Sequence, residues 1–148
     1  MMENWLALGL AAALSYSISG LATKVALDKK YMGLEPTSVA LLVMAGVVLG
    51  FASFYLIFAG LKVPEIKPAA ALVGLAVGFF WALDSLMVYF GLIRGAEVSR
   101  MAPIYNLNTL LVVAGGIILL HELPDKNQAI RVAAGAILIV IGGVLVSA

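Results

Sequence analysis

Apolar residues run along this chain in five long blocks separated by short polar stretches: Trp5–Val25, Ser38–Gly60, Ala69–Leu92, Met101–Leu120 and Ala129–Ser147. Each block is close to the roughly 20 residues a helix needs to cross a hydrocarbon layer of about 30 Å. None alternates apolar with polar residues as barrel strands do, and only helices or closed barrels satisfy their backbone in lipid. The pattern predicts five transmembrane helices, an all-α membrane protein. The links Ala26–Thr37, Leu61–Pro68, Ile93–Arg100 and His121–Gln128 are short, so neighbouring helices run antiparallel in one compact bundle spanning 1–148. Five is odd, which sets the two chain ends on opposite sides of the membrane.

Composition agrees with this reading. Hydrophobic residues make up 64% of the chain and charged residues 11%, with a mean hydropathy of +1.11. A soluble domain has about 45–50% apolar and 25% charged residues. The first block has no Lys or Arg before it and continues past any plausible cleavage point, so it reads as a retained helix rather than a signal peptide. Cysteine is absent, which excludes disulfides, thiolate metal sites and a thiol nucleophile. The single histidine, His121, lies at a loop edge; no metal centre, phosphate loop, Ser–His–Asp set or cofactor site is expected, and no enzyme. A net charge of +1 gives no reason to expect nucleic acid.

Basic loop residues normally mark the cytoplasmic side. Here Lys62, Lys67, Lys126 and Arg131 flank one side, and Lys24, Lys29, Lys30, Arg94 and Arg100 the other. Four against five leaves the orientation nearly unbiased. Either a single orientation is weakly encoded, or the chain inserts both ways and pairs with an inverted copy.

Asp84 is the polar residue most out of place, within about one turn of the middle of the third block. A carboxylate there costs about 2.5–3.5 kcal/mol on insertion scales, so it is expected to face a bundle interior or a water-filled cavity. It is a candidate for binding a proton or a cationic substrate group, or else a structural hydrogen bond between helices. Trp81, Ser85 and Val88 share its helix face by spacing. In the first block Ser15, Tyr16 and Ser19 form a polar stripe with Ala12 and Thr23; such hydroxyls line a cavity or bond back to the carbonyl four residues earlier. Lys24 ends that block, either snorkelling to headgroups or reaching towards Asp84. In the fourth block Pro103 falls in the first turns, where its missing N–H is best tolerated. Asn106 and Asn108 project to nearly opposite faces; Asn108 shares its face with Tyr105 and is the better ligand candidate, although interhelical bonding is the commoner role.

Glycine pairs Gly46/Gly50 and Gly74/Gly78 have small-xxx-small spacing, and Gly135, Gly142 and Gly143 thin the last helix. Such residues let helices approach closely within or between chains. The last block, with little polarity beyond Arg131, is the expected dimer contact.

The stretch LAAALSYSISGLATKVAL, including Lys24, resembles the opening helix of EamA-type proteins of the drug/metabolite transporter superfamily. FGLIRGAEVSRMAPIY, with Pro103, and LLHELPDKNQAIRVAAGAILIVIGGVLV, with Glu122, resemble the same family more closely. Together these cover one five-helix EamA unit. The resemblance implies a second, inverted unit, supplied by another copy as an antiparallel ten-helix homodimer, as in the related small multidrug resistance proteins. It also implies a central substrate site walled by the first four helices, with the fifth at the contact between units. The chain departs from the family pattern in its second helix, VALLVMAGVV, which lacks a frequent arginine, and in its first, which lacks the glutamate of the small multidrug resistance relatives. The family assigns Asp84 no role, and Glu122 reads as structural, capping the start of the last helix.

The leading expectation is a secondary transporter in the cell membrane, exporting a small metabolite or amphipathic compound by alternating access, with Asp84 binding a proton or a cationic group. The residues expected to form the substrate or proton site are Asp84, Trp81, Ser85, Ser15, Tyr16, Ser19, Asn108 and Lys24. Its expected partners are a second copy of itself, a small-molecule substrate and membrane lipid. The alternatives are an uncoupled facilitator, a flippase for a lipid-linked substrate, or an accessory membrane subunit that transports nothing.

Overall fold

The computed structural model describes residues 4–60, 62, 65–122 and 125–147. Parts of two expected loops, at Leu61, Val63 and Pro64 and at Leu123 and Pro124, lie outside the described residues. The described residues are helical wherever they are regular: α1 (Asn4–Leu27), α2 (Pro36–Ala59), α3 (Pro68–Ile93), α4 (Val98–Tyr105), α5 (Asn108–Ile118) and α6 (Lys126–Ser147). Among them are five segments long and apolar enough to cross a membrane: Leu6–Leu27, Pro36–Ala59, Pro68–Ile93, Val98–Ile118 and Asn127–Val146.

Local chemistry sets the helix ends. Pro36 and Pro68 open α2 and α3, where a missing N–H is harmless and the fixed φ suits a helix. Gly60 closes α2 in the left-handed conformation, φ 56° and ψ 39°, which glycine adopts without steric cost.

The fourth span corrects the sequence reading. Met101–Leu120 was expected as one helix beginning near Pro103. The structure instead begins α4 at Val98, puts Pro103 inside it, and interrupts the span at Asn106 and Leu107. Pro103 has no N–H for the carbonyl of Ser99, and the ladder beyond it tightens into i→i+3 bonds. Leu107 N–H donates to Ile104 (3.0 Å), Thr109 to Asn106 (3.1 Å) and Leu110 to Leu107 (3.1 Å).

The chain forms two compact units, one ending at Gly95 and the other beginning at Ala96. The first holds α1, α2 and α3, which pack on one another. Its buried side chains, Leu27, Val39, Tyr89 and Leu92, belong to the last turn of α1, the first turns of α2 and the last turns of α3. All four therefore lie at one end of the unit. The turn after α1 closes the same end: Met32 N–H donates to Val25, Gly33 to Asp28 and Leu34 to Ala26.

In the second unit α6 packs against both α4 and α5. Gly143 makes this possible: a Cβ there would lie 3.0 Å from a Leu107 methyl and 3.1 Å from the Pro103 carbonyl. Gly143 is thus the close-approach glycine of the last helix. The other small-residue pairs behave differently. At Gly46, Gly50, Gly74, Gly78, Gly135 and Gly142 a Cβ would meet nothing within 4 Å, so none of these brings two helices of this chain together. The Glu122 carboxylate lies over Gly116 of α5, 2.7 Å from where a Cβ would be.

Candidate functional site

The candidate residues of the first unit separate into four places. The first is an apolar groove of about 370 Å³ between α2 and α3. Trp81, Ser85 and Tyr89 line it from α3, successive turns of one helix face, and Val43, Met44 and Val47 line it from α2. Ser85 offers the groove little polarity, because its hydroxyl donates to the carbonyl of Trp81 at 3.0 Å. Trp81 keeps 44% of its surface exposed, so the indole stands at the groove's wall rather than inside a core.

Asp84 is the second place. It is exposed and does not line that groove. The expected single face of Trp81, Asp84, Ser85 and Val88 is therefore divided: the indole and hydroxyl turn towards α2, and the carboxylate points past them. From Asp84 to the end of α3 at Ile93 is about 13 Å along the axis, from nine residues at 1.5 Å each. Tyr89 and Leu92 are buried within that stretch.

The α1 stripe is exposed. Ser15 donates to the carbonyl of Ala11 (3.0 Å), and its neighbour Ser17 does the same to Ala13 (2.8 Å), so for Ser15 back-bonding is the observed arrangement. Ser19 and Tyr16 lie on the same exposed helix, Tyr16 at 50% exposure.

Lys24 is in the fourth place, at the closed end. Its ammonium pairs with Asp28 at 3.1 Å, one turn on and just beyond the helix, instead of bending towards Asp84. Asp28 is anchored twice, since one carboxylate oxygen also accepts the Lys30 backbone N–H at 2.9 Å. That N–H, and then the Lys24 ammonium, hold the Asp28 carboxyl below the usual carboxylate range, against a smaller upward push from partial burial. Sequence reasoning passed over Asp28, although the i, i+4 spacing from Lys24 carried the signal. Tyr89 was also missed; it stands four residues beyond Ser85 and eight beyond Trp81.

In the second unit, Asn108 is exposed and begins α5, directly after the interruption of the span. Asn106 is the last residue of the preceding turn and is exposed too.

The sequence profile of the EamA-like transporter family matches residues 3–148, essentially the whole chain. The chain belongs to this family. It is a single EamA unit, and membership makes it an integral membrane transporter of the drug/metabolite superfamily and not an enzyme. No curated protein and no solved structure matches the chain.

Proposed function

We propose that this EamA unit works as a pair of inverted copies that carry a small metabolite or amphipathic compound outward by alternating access. Asp84 of each copy takes up a proton or a cationic substrate group. The observation that carries this reading is the exposed Asp84 carboxylate, only about 5 Å from the middle of α3. Left against lipid it would cost about 2.5–3.5 kcal/mol, so a water-filled cavity or a second chain must cover that face. Trp81 and Ser85 flank it on α3, and Ser15, Tyr16 and Ser19 supply exposed polar atoms on α1. Five spans and nearly balanced basic loops favour a second, inverted copy as the cover, and the plasma membrane is the proposed location.

Reconstituted protein is expected to show proton-driven uptake that Asp84→Asn abolishes, while Asp84→Glu retains it in part. Normal proton-driven uptake by Asp84→Asn would end the coupling proposal. The pairing has its own test, because the chain lacks cysteine. Single cysteines placed at Lys30 and at Lys62 should each be labelled in half the molecules from either side. One fixed labelling pattern would overturn the inverted homodimer.

A further inference from the structure

The closed end of the first unit contains a second cavity, of about 520 Å³, distinct from the Trp81 groove. The buried Leu27 and Leu92 and the exposed Ile93 give it an apolar lining, and Lys24, Asp28 and the exposed Lys29 and Glu35 stand around it. The four charges differ in one respect. Lys24 and Asp28 neutralise each other at 3.1 Å. Among the described residues, Lys29 and Glu35 form no ion pair, and the Glu35 side chain makes no capping bond to α2, which it precedes. The cavity therefore presents one uncommitted cation and one uncommitted anion.

The backbone holds these two residues in place. Asp28 to Leu34 folds back on the last turn of α1 through the bonds of Tyr31 and Gly33 to Asp28 and of Leu34 to Ala26. Gly33 makes the tight return possible, with φ +62° and a would-be Cβ only 3.3 Å from the Lys29 Cα. The Lys29 and Glu35 backbones are thus fixed on either side of a built turn rather than on a loose loop.

We infer that this cavity is a binding site for a zwitterionic group, an ammonium received by Glu35 and a neighbouring phosphate or carboxylate received by Lys29. With Lys24 and Asp28 paired, a simple anion would still meet Glu35 and a simple cation would meet Lys29, so neither fits the lining as well. The site lies where α1 and α3 leave the membrane, with apolar residues beneath it. A zwitterionic phospholipid headgroup and a free amino acid both present the required chemistry.

The test uses the full chain in nanodiscs containing equal phosphatidylethanolamine and phosphatidylglycerol. Lipid retained on the protein is read by native mass spectrometry, and L-alanine binding by equilibrium dialysis. Preferential retention of phosphatidylethanolamine would identify a lipid headgroup as the source; L-alanine binding would identify a free zwitterion. In either case Lys29→Gln and Glu35→Gln should each weaken binding about ten-fold or more, the loss of one charge-assisted hydrogen bond. The swapped pair Lys29→Glu with Glu35→Lys should recover part of that loss, and Lys62→Gln should change nothing. Preference for phosphatidylglycerol, or retention unaltered by both single substitutions with no L-alanine binding, would overturn the assignment. These readouts are independent of transport, so they stand or fall apart from the role of Asp84.

Discussion

The two ends of the three-helix unit are built from similar residues and do opposite things. At one end Leu27, Val39, Tyr89 and Leu92 bury themselves, an ion pair spans the last turn of α1, and a hydrogen-bonded turn closes over them. At the other end Leu8, Ile57 and Leu75 are all exposed, and Gly50 and Gly74, in that half of α2 and α3, have open space where a Cβ would stand. In water such an end would collapse. In lipid it need not, because acyl chains are as apolar as leucine and helices associate through packing and hydrogen bonds instead. One end is fastened by those interactions; the other is left for lipid, substrate or a second copy. Asp84 stands below the fastened end, beneath Tyr89 and Leu92; under the alternating access proposed above, the fastened end would be the closed side.

The strongest way to break this comparison is to remove packing at each end in turn. Leu92→Ala leaves a cavity in the fastened end. Its cost should be about 2 kcal/mol, the low end of the usual range, because the lost side chain no longer gains from leaving water. Gly74→Leu at the open end adds four carbons to empty space and should cost less than about 0.5 kcal/mol. Unfolding in mixed detergent micelles measures both. Equal costs would show that the open end is packed as tightly as the closed one. A large cost for Gly74→Leu alone, appearing only as protein concentration allows pairing, would instead place Gly74 at a contact between copies.

The spans were legible in the sequence because lipid imposes a simple rule, about 20 apolar residues without charge. What the rule cannot show is how a span bends. Pro103 was visible, but two features around it were not: the ladder beyond it tightens through Asn106 and Leu107, and Gly143 of α6 approaches its carbonyl across forty residues of sequence. The site was legible residue by residue and not as a constellation. Asp84 announced itself by cost, and Ser15 and Ser85 by hydroxyls that then bonded to their own helix. Helical spacing alone put Asp84 with Trp81 and Ser85; offsets of about 60° from Trp81 and about 100° from Ser85 around the axis were enough to separate the carboxylate from the groove. Lys24 was read against lipid or Asp84, and the nearer partner, Asp28, lay just outside the apolar block.

The turn that fastens the closed end offers a finer test. Gly33 holds φ +62° with Lys29 directly behind it. Gly33→Ala should cost about 1 kcal/mol, from the left-handed backbone and the 3.3 Å approach to the Lys29 Cα. The comparison predicts a location as well as a size. Hydrogen exchange should quicken at the Gly33 and Leu34 amides and stay unchanged along the open half of α2. Faster exchange throughout α2 would mean that the two ends are one cooperative block and that their difference in burial has no energetic counterpart.

The smallest effect belongs to the Lys24–Asp28 pair, which is partly exposed and so worth little. Its value lies in its pH dependence. The Asp28 carboxyl is held below its ordinary 3.8 in the folded chain by the Lys30 N–H and Lys24. A group with a depressed folded pKa stabilises the fold above its unfolded pKa and loses that contribution as pH falls through the folded value. Asp28→Asn keeps an oxygen for the Lys30 N–H but removes the charge that Lys24 answers. The variant should therefore unfold slightly more easily than the parent from pH 5 to 8, by a nearly constant margin, and the two should converge as the pH falls below 3.8. Titrating the difference in unfolding midpoint isolates this pair, because the other carboxylates protonate alike in both proteins. A margin that persists at acid pH would mean that Asp28 fastens the turn through its shape and its bond to Lys30, with no contribution from its charge.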